Sequence, residues 1–329
     1  MPITPETILS LSQKFMESRI FLTAAELDLF SLLAKGPLTS SEVADRLKIT
    51  QRGAAILLDA LVPMGLLQKQ DGRYVCPAEV AELLSKDSPG SMMPMILLSA
   101  GGWRRWSELT EIVRHGATRA WPELYDIDPS EYATFVRAMH VIAYRMAPAI
   151  VAAINPGGAR RLLDIGGALG AYTQAFLEAA PELCATLFDL PRVIQIARER
   201  FTGTDLARRI TFVAGDFYRD ELPADHDLAL LSAIIHQNSS EQNLELYRKV
   251  YRALRPGGRL VIRDHVMSAD HTLPAGGAFF AVNMLVATVG GSTYSFDEIR
   301  RSLEEAGFAR ISLLQSGERM DGLVEAFKP

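Results

Sequence analysis

Hydrophobic positions along the chain change their period twice. In residues 1–90 the spacing is helical: Leu22, Ala25, Leu29 and Leu33 form one stripe, and Ala54, Leu57, Leu58, Leu61 and Val62 form another. Between the stripes, "PLTSSEVADRL" sets Thr39 three residues before Glu42, a capping box that predicts a helix start. "GLLQKQDGRYVCP" then predicts two short strands around an Asp71-Gly72 turn. Helices closed by such a hairpin predict a winged helix-turn-helix. Residues 96–155 again read as helices, with Phe135, Met139, Ile142 and Met146 near one face. From residue 158 the pattern alternates. Apolar runs at 161–165, 184–188, 210–213, 227–233 and 259–263 are separated by helical stretches at 171–180, 191–201 and 240–254. That alternation predicts a doubly wound α/β sheet. A further helix ending at Gly307 and two strands close the chain. The expected division is 1–95, 96–155 and 156–329.

Composition narrows the picture. The chain has 329 residues, 48% hydrophobic and 22% charged, with a formal net charge of −5. Residues 1–90 carry nine Lys and Arg against eleven Asp and Glu, and the would-be recognition helix at 51–62 has Arg52 as its one cation. DNA binding needs several phosphate contacts from a basic face, so the winged helix is expected to bury its apolar faces in a homodimer instead. No nucleic acid or membrane partner is expected. The most apolar segment, "AFFAVNMLVATV" at 278–289, is too short to span a bilayer and predicts a buried helix. Residues 1–30 lack a signal-peptide pattern, and Cys76 and Cys184 lie far apart, so a reducing, cytoplasmic setting is expected.

Candidate chemistry begins at "RRLLDIGGALGAYTQAF", residues 160–176. Gly166, Gly167 and Gly170 lie between a strand and a helix, and Asp189 follows about twenty residues later. Glycines let backbone approach a ligand, and the acid can accept hydrogen bonds from ribose hydroxyls. NAD and S-adenosylmethionine both fit so far. Asp164 separates them: a carboxylate two residues before the first glycine opposes a pyrophosphate and favours a sulfonium and an ammonium. Asp216, after the third strand, can accept from an adenine amino group, and Phe217 can lie against the ring. Three acids then line one edge of a parallel sheet, where ligands bind. The acids show no clustered ligand spacing, so no metal is expected.

In order, "LLDIGGALG", "FDLPRVI", "AGDFY", "HQNSSEQNLELYRKVYRALRPGGRLVIRDHV" and "EEAGF" resemble the class I S-adenosylmethionine-dependent O-methyltransferases related to caffeic acid and hydroxyindole O-methyltransferases. The resemblance covers nearly the whole chain. It implies a Rossmann-like α/β methyltransferase domain behind an all-α winged-helix dimerisation domain. It further implies that Gly166, Gly167 and Gly170 cradle the methionine part of the cofactor. Asp189 would bind ribose, Leu190 would pack on adenine, and Asp216 and Phe217 would hold the adenine. His236 falls at the position of the catalytic base and Asp264 at the acid beside it. Phe135, Met139, Met284 and Thr288 would line the pocket of a small, hydroxylated, aromatic acceptor, with Trp103 or Phe280 as additions.

Departures from the pattern are specific. Ala168 replaces a glycine, Ser232 stands where many relatives have a cofactor-binding lysine, Gln237-Asn238 replaces Asp-Trp, and Thr293 replaces a second catalytic acid. The residues themselves support His236 as base, because an imidazole titrates near neutrality and this one follows an apolar strand at the binding edge. His265, beside Asp264, is its nearest competitor. Two other readings stay open at this point. One is a relative that keeps the cofactor but performs hydroxylation, decarboxylation or no methyl transfer. The other is a winged-helix transcription regulator.

Overall fold

The computed structural model describes residues 2–116 and 129–329. Its elements, in chain order, begin with helices α1 (Pro5–Glu26), α2 (Leu29–Leu33), α3 (Ser40–Leu47) and α4 (Gln51–Leu61). Strands β1 (Gln68–Gln70) and β2 (Arg73–Val75) follow, then α5 (Ala78–Leu84), α6 (Met93–Trp106), α7 (Leu109–His115) and α8 (Pro129–Ile154). The alternating region holds β3 (Arg161–Ile165), α9 (Ala171–Ala179), β4 (Cys184–Asp189), α10 (Pro191–Phe201), β5 (Ile210–Ala214), β6 (His226–Ser232), α11 (Ser240–Ala253) and β7 (Leu254–Asp264). Last come β8 (Val266–Met267), α12 (Ala275–Ala287), β9 (Tyr294–Ser295), α13 (Phe296–Glu305), β10 (Ala309–Gln315) and β11 (Gly322–Phe327).

The chain forms two compact units. One takes residues 1–104 and 133–141; the other takes the described residues of 105–132 and 142–329. In the first unit the Thr39–Glu42 capping box closes the start of α3 in both directions. Asp71 and Gly72 both adopt positive φ, the backbone a two-residue type I′ hairpin turn requires. The stripe from Leu22 to Leu33 does not lie on one helix. Asp28 takes φ 56°, and the chain turns there between α1 and α2. The turn keeps Ala25, Leu29, Phe30 and Leu33 all buried in one core with Val43, Leu58 and Leu61. The outer side of α1 instead exposes Ile8, Leu11 and Phe15 at helical spacing.

The second unit is built on a seven-stranded sheet of order β10-β11-β7-β6-β3-β4-β5. The five strands from β7 to β5 run parallel, while β11 pairs antiparallel with β7 and β10 with β11. Period-two alternation divides the strands between two cores. Leu163, Ile165, Ala229, Leu231, Leu260 and Ile262 face one; Leu162, Leu228, Leu230 and Val261 face the other. After β5 the chain crosses back over β3 and β4 to lay β6 on the far side of β3. The order therefore reverses between β3 and β6, and a crevice opens outside their carboxyl ends. The short parallel pair of β8 and β9 has no counterpart in the sequence pattern.

Candidate active site

Two turns meet at the reversal point. The first is the glycine loop after β3, where Gly166 takes φ 66° and Gly170 φ 75°. A Cβ on Gly166 would stand 2.6 Å from the Ile234 Cδ1 atom, so this loop lies directly against the turn after β6. The cause of glycine at 170 is different: a Cβ there would run into Leu187 and Phe201 of the core. Ala168 adopts φ 49° despite its methyl group, and its N–H donates to Asp189 Oδ2 at 2.8 Å.

Each of the three acids is held from its own side of the edge. Asp164 is 1% exposed and tucked under the loop, where it accepts a 2.6 Å bond from the Thr173 hydroxyl. It acts on anything above the loop through its field and not by direct contact. Burial pushes its carboxyl up to about 6, with the Thr173 bond opposing. Asp189 accepts from Ala168 N and, at 2.7 Å, from Leu190 N; burial pushes it up to about 6 as well. Asp216 accepts from Tyr218 N at 2.9 Å, and Phe217 lies tilted on Tyr218 with ring centres 4.5 Å apart. Leu190 caps α10 and is part-buried.

The second turn, 233–238, carries His236. Its Nδ1 lies 2.9 and 3.0 Å from the two oxygens of Asp264, which is 1% exposed at the end of β7. Burial works against ionising Asp264, yet the His236 charge and bond, the His265 N–H and Arg263 together hold the carboxyl below its usual range. An ionised Asp264 accepts a hydrogen bond from Nδ1–H, which keeps the proton on Nδ1 and leaves Nε2 as the free base nitrogen. His265 loses the competition for that role. Only its backbone N–H reaches Asp264, and its buried ring, with Nδ1 unpartnered, is held below the usual imidazole range mainly by desolvation. His226 bonds Thr186 and His271 pairs with Glu298, so neither joins the cluster.

A buried network fixes the His236 turn. Tyr218 Oη donates to Asn238 Oδ1 at 2.5 Å, Asn238 Nδ2 to Asn243 Oδ1 at 2.9 Å, and Asn243 Nδ2 to the Ile235 carbonyl at 2.9 Å. Tyr294 Oη donates to the Asn238 carbonyl. Gly291 presses on the same turn, since a Cβ there would sit 2.5 Å from the His236 carbonyl. None of this was foreseen from the sequence, although the Gly290-Gly291 pair was a visible signal of close approach.

Ser232, where a lysine stands in many relatives, does not leave the site without a cation. Arg263 on the adjacent strand donates Nη1 to the Ser232 hydroxyl at 3.2 Å. A charge inside the apolar run "LVIRDHV" was the sequence signal for it. On the acceptor side, Phe280 of α12 stands edge-on to His236, ring centres 4.9 Å apart, and 5.2 Å from His265. Met284 is buried on the same helix. The Thr288 hydroxyl caps that helix, donating to the Met284 carbonyl and accepting from Gly291 N, both at 2.8 Å. Met139 and Trp103 belong to the other compact unit. Phe135 is on α8, and its side chain lies outside the described residues. Among the described residues no group of three or more His, Cys, Asp or Glu is placed to hold a metal ion, and no helix is long and apolar enough to cross a membrane.

Comparison with known proteins identifies the family. Residues 9–87 match the O-methyltransferase dimerisation domain and residues 106–309 the O-methyltransferase domain. The chain is 32% identical over 316 residues to 3-hydroxy-5-methyl-1-naphthoate 3-O-methyltransferase of Streptomyces sahachiroi, covering 93% of this chain and 90% of that one. It is 30% identical over 338 residues to acetylserotonin O-methyltransferase of Gallus gallus, covering 97% and 96%. The crystal structure of human N-acetylserotonin methyltransferase in complex with SAM matches it with a TM-score of 0.88 at 25% identity, covering 99% and 98%. With both domain models matched in order and relatives aligned over nearly their full length, this chain belongs to the O-methyltransferase family.

Proposed function

We infer that the protein transfers a methyl group from S-adenosylmethionine to a hydroxyl of a small, aromatic acceptor, and that it does so as a homodimer. The observation that carries the reading is the His236–Asp264 pair beside the glycine loop. The residues fit the cofactor. Gly166 and Gly167 let the loop backbone close down on Ile234 and the buried Asp164, with no side chain to stand between that backbone and a ligand; Asp189 and Asp216 offer acceptors for ribose and adenine groups, and Phe217 offers a ring face. When bound, S-adenosylmethionine supplies a methyl group on a sulfonium, open to in-line displacement by oxygen.

The chain's own residues do the rest. Nε2 of His236 takes the proton from the acceptor hydroxyl, so that oxygen becomes a competent nucleophile. Asp264 holds Nδ1–H, fixes the tautomer and balances the imidazolium charge. With Thr293 in place of a second acid, Asp264 is, among the described residues, the one carboxylate bonded to this histidine. Phe280 and Met284 offer an apolar, polarizable surface suited to a flat acceptor ring. No metal is needed in this chemistry. The names of relatives support the acceptor class: 3-hydroxy-5-methyl-1-naphthoate and acetylserotonin are both hydroxylated aromatics. The dimer reading rests on the matched dimerisation domain and on Ile8, Leu11 and Phe15, each at least half exposed along α1.

The test is a mass-spectrometric screen of phenols with isotopically labelled cofactor. It is expected to find S-adenosylhomocysteine and methylated product in equal amounts. Cofactor turnover without a methylated product would end the methyltransferase reading.

A further inference from the structure

Arg263 is 3% exposed, next to Asp264 in sequence but on the opposite face of the sheet by strand alternation. A buried guanidinium is costly unless an anion or a full set of acceptors faces it. Its surroundings fall short of that. Nη1 reaches the Ser232 hydroxyl, Nη2 lies 3.7 Å from the Met146 sulfur, and Nε has no hydrogen-bond partner. The Tyr172 ring, 5.6 Å from the guanidinium carbon, adds only a distant cation–π interaction. Asp264 commits its oxygens to His236 and to the His265 N–H. Nothing among the described residues neutralises this cation by direct contact.

We propose that Arg263, together with Ser232, binds the methionine carboxylate of S-adenosylmethionine. The inference rests on the cofactor reading above. Strand order gives it direction. Asp189 ends β4 and Asp216 follows β5, on one side of the glycine loop, whereas Ser232 ends β6 and Arg263 is the last but one residue of β7, on the other. A nucleoside laid across the edge with its ribose at Asp189 brings its amino-acid end to β6 and β7. Acids hold the adenosine side and repel a carboxylate, so the anionic end needs a cation. Tyr172, beside both Arg263 and Ser232, lies in the first turn of α9, whose amino end also favours an anion. The carboxylate gives the guanidinium the partner it lacks, and Ser232 serves as a second donor.

Calorimetry with S-adenosylhomocysteine and with its decarboxylated analogue tests the assignment. The unaltered protein should bind the intact molecule about 10- to 100-fold more tightly, the range of a charged hydrogen bond. Arg263→Gln should lose that factor for S-adenosylhomocysteine and leave the analogue within about threefold; Arg263→Lys should recover part of it. Equal loss for both ligands, or no loss for either, overturns the proposal, as does a defect confined to an acidic acceptor. If Arg263→Gln does not fold, the unaltered protein decides: equal affinity for the two ligands overturns it. Failure of the unaltered protein to bind S-adenosylhomocysteine at all would instead remove the cofactor reading.

Discussion

The two halves of the sheet edge are built differently. On the β3–β4–β5 side, Asp189 and Asp216 are held by backbone N–H groups of Ala168, Leu190 and Tyr218, and Asp164 by a hydroxyl one turn into the next helix. On the β6–β7 side, His236 pairs with Asp264 and Ser232 with Arg263, on opposite faces of the sheet, and the turn that carries His236 is held by Asn238, Asn243 and Tyr294. The first half is a row of separate acceptors. The second is built of cross-strand pairs, and in the His236–Asp264 pair removing one member leaves the other buried and unpartnered. The first half therefore offers separate acceptors to a ligand, and the second holds a proton acceptor in one orientation on one face and a cation on the other.

The largest effect separates the halves by additivity. His236→Ala should lower kcat about 1000-fold while S-adenosylhomocysteine affinity stays within threefold. Asp264→Asn should cost at least about 100-fold, and the double variant should be no slower than His236→Ala alone. Losses that multiply would break the claim of a coupled unit; steady-state kinetics of the four proteins reads this directly.

Next comes a pH effect in the acid half. The folded protein raises Asp164 from 3.8 to about 6, so ionising it opposes folding. That penalty is absent below about pH 4, grows through the 4–6 window and is complete above it, reaching about 3 kcal/mol at most. Asp164→Asn should therefore match the unaltered protein's melting temperature near pH 4 and exceed it at pH 7.5. The same variant should weaken binding of the cationic cofactor more than of its neutral thioether product. Melting curves that stay superimposed across this range would contradict the assigned burial cost.

Asp189→Ala should reduce S-adenosylhomocysteine affinity about tenfold, with kcat at saturation little changed, as titration and initial rates together would show. A fall in kcat instead would mean that the acid half reaches into the chemistry. The smallest change is Ala168→Gly. It relieves a positive φ and should move stability by less than about 1 kcal/mol, with Asp189 still bonded. Chemical denaturation is sensitive enough to see it; a loss above 2 kcal/mol would show that the methyl group packs where no neighbour was expected.

The same contrast explains what the sequence could reveal. Acids at successive strand ends, the Thr39 capping box and the Asp71-Gly72 turn depend on neighbours within a few residues, and they are found where the pattern puts them. The break at Asp28 was not legible, because Leu22 to Leu33 keep helical spacing through it and only the surrounding core decides which way each side faces. Nor was the partnership of Ser232 with Arg263, set by the register between β6 and β7, or the clamp on His236 by Gly291 and Asn238, which needs α12 and β9 folded back. The resemblance located His236 and Asp264; their separation of 2.9 Å is a product of the fold.

Because Gly166 would strike Ile234 if it carried even a methyl group, the glycine loop and the turn bearing the imidazole are packed together with no room for an added side chain between them. Engineers seeking new acceptors should leave both untouched and vary α12 at Met284 before Phe280, whose ring stands edge-on to His236 and cannot be exchanged without touching the imidazole.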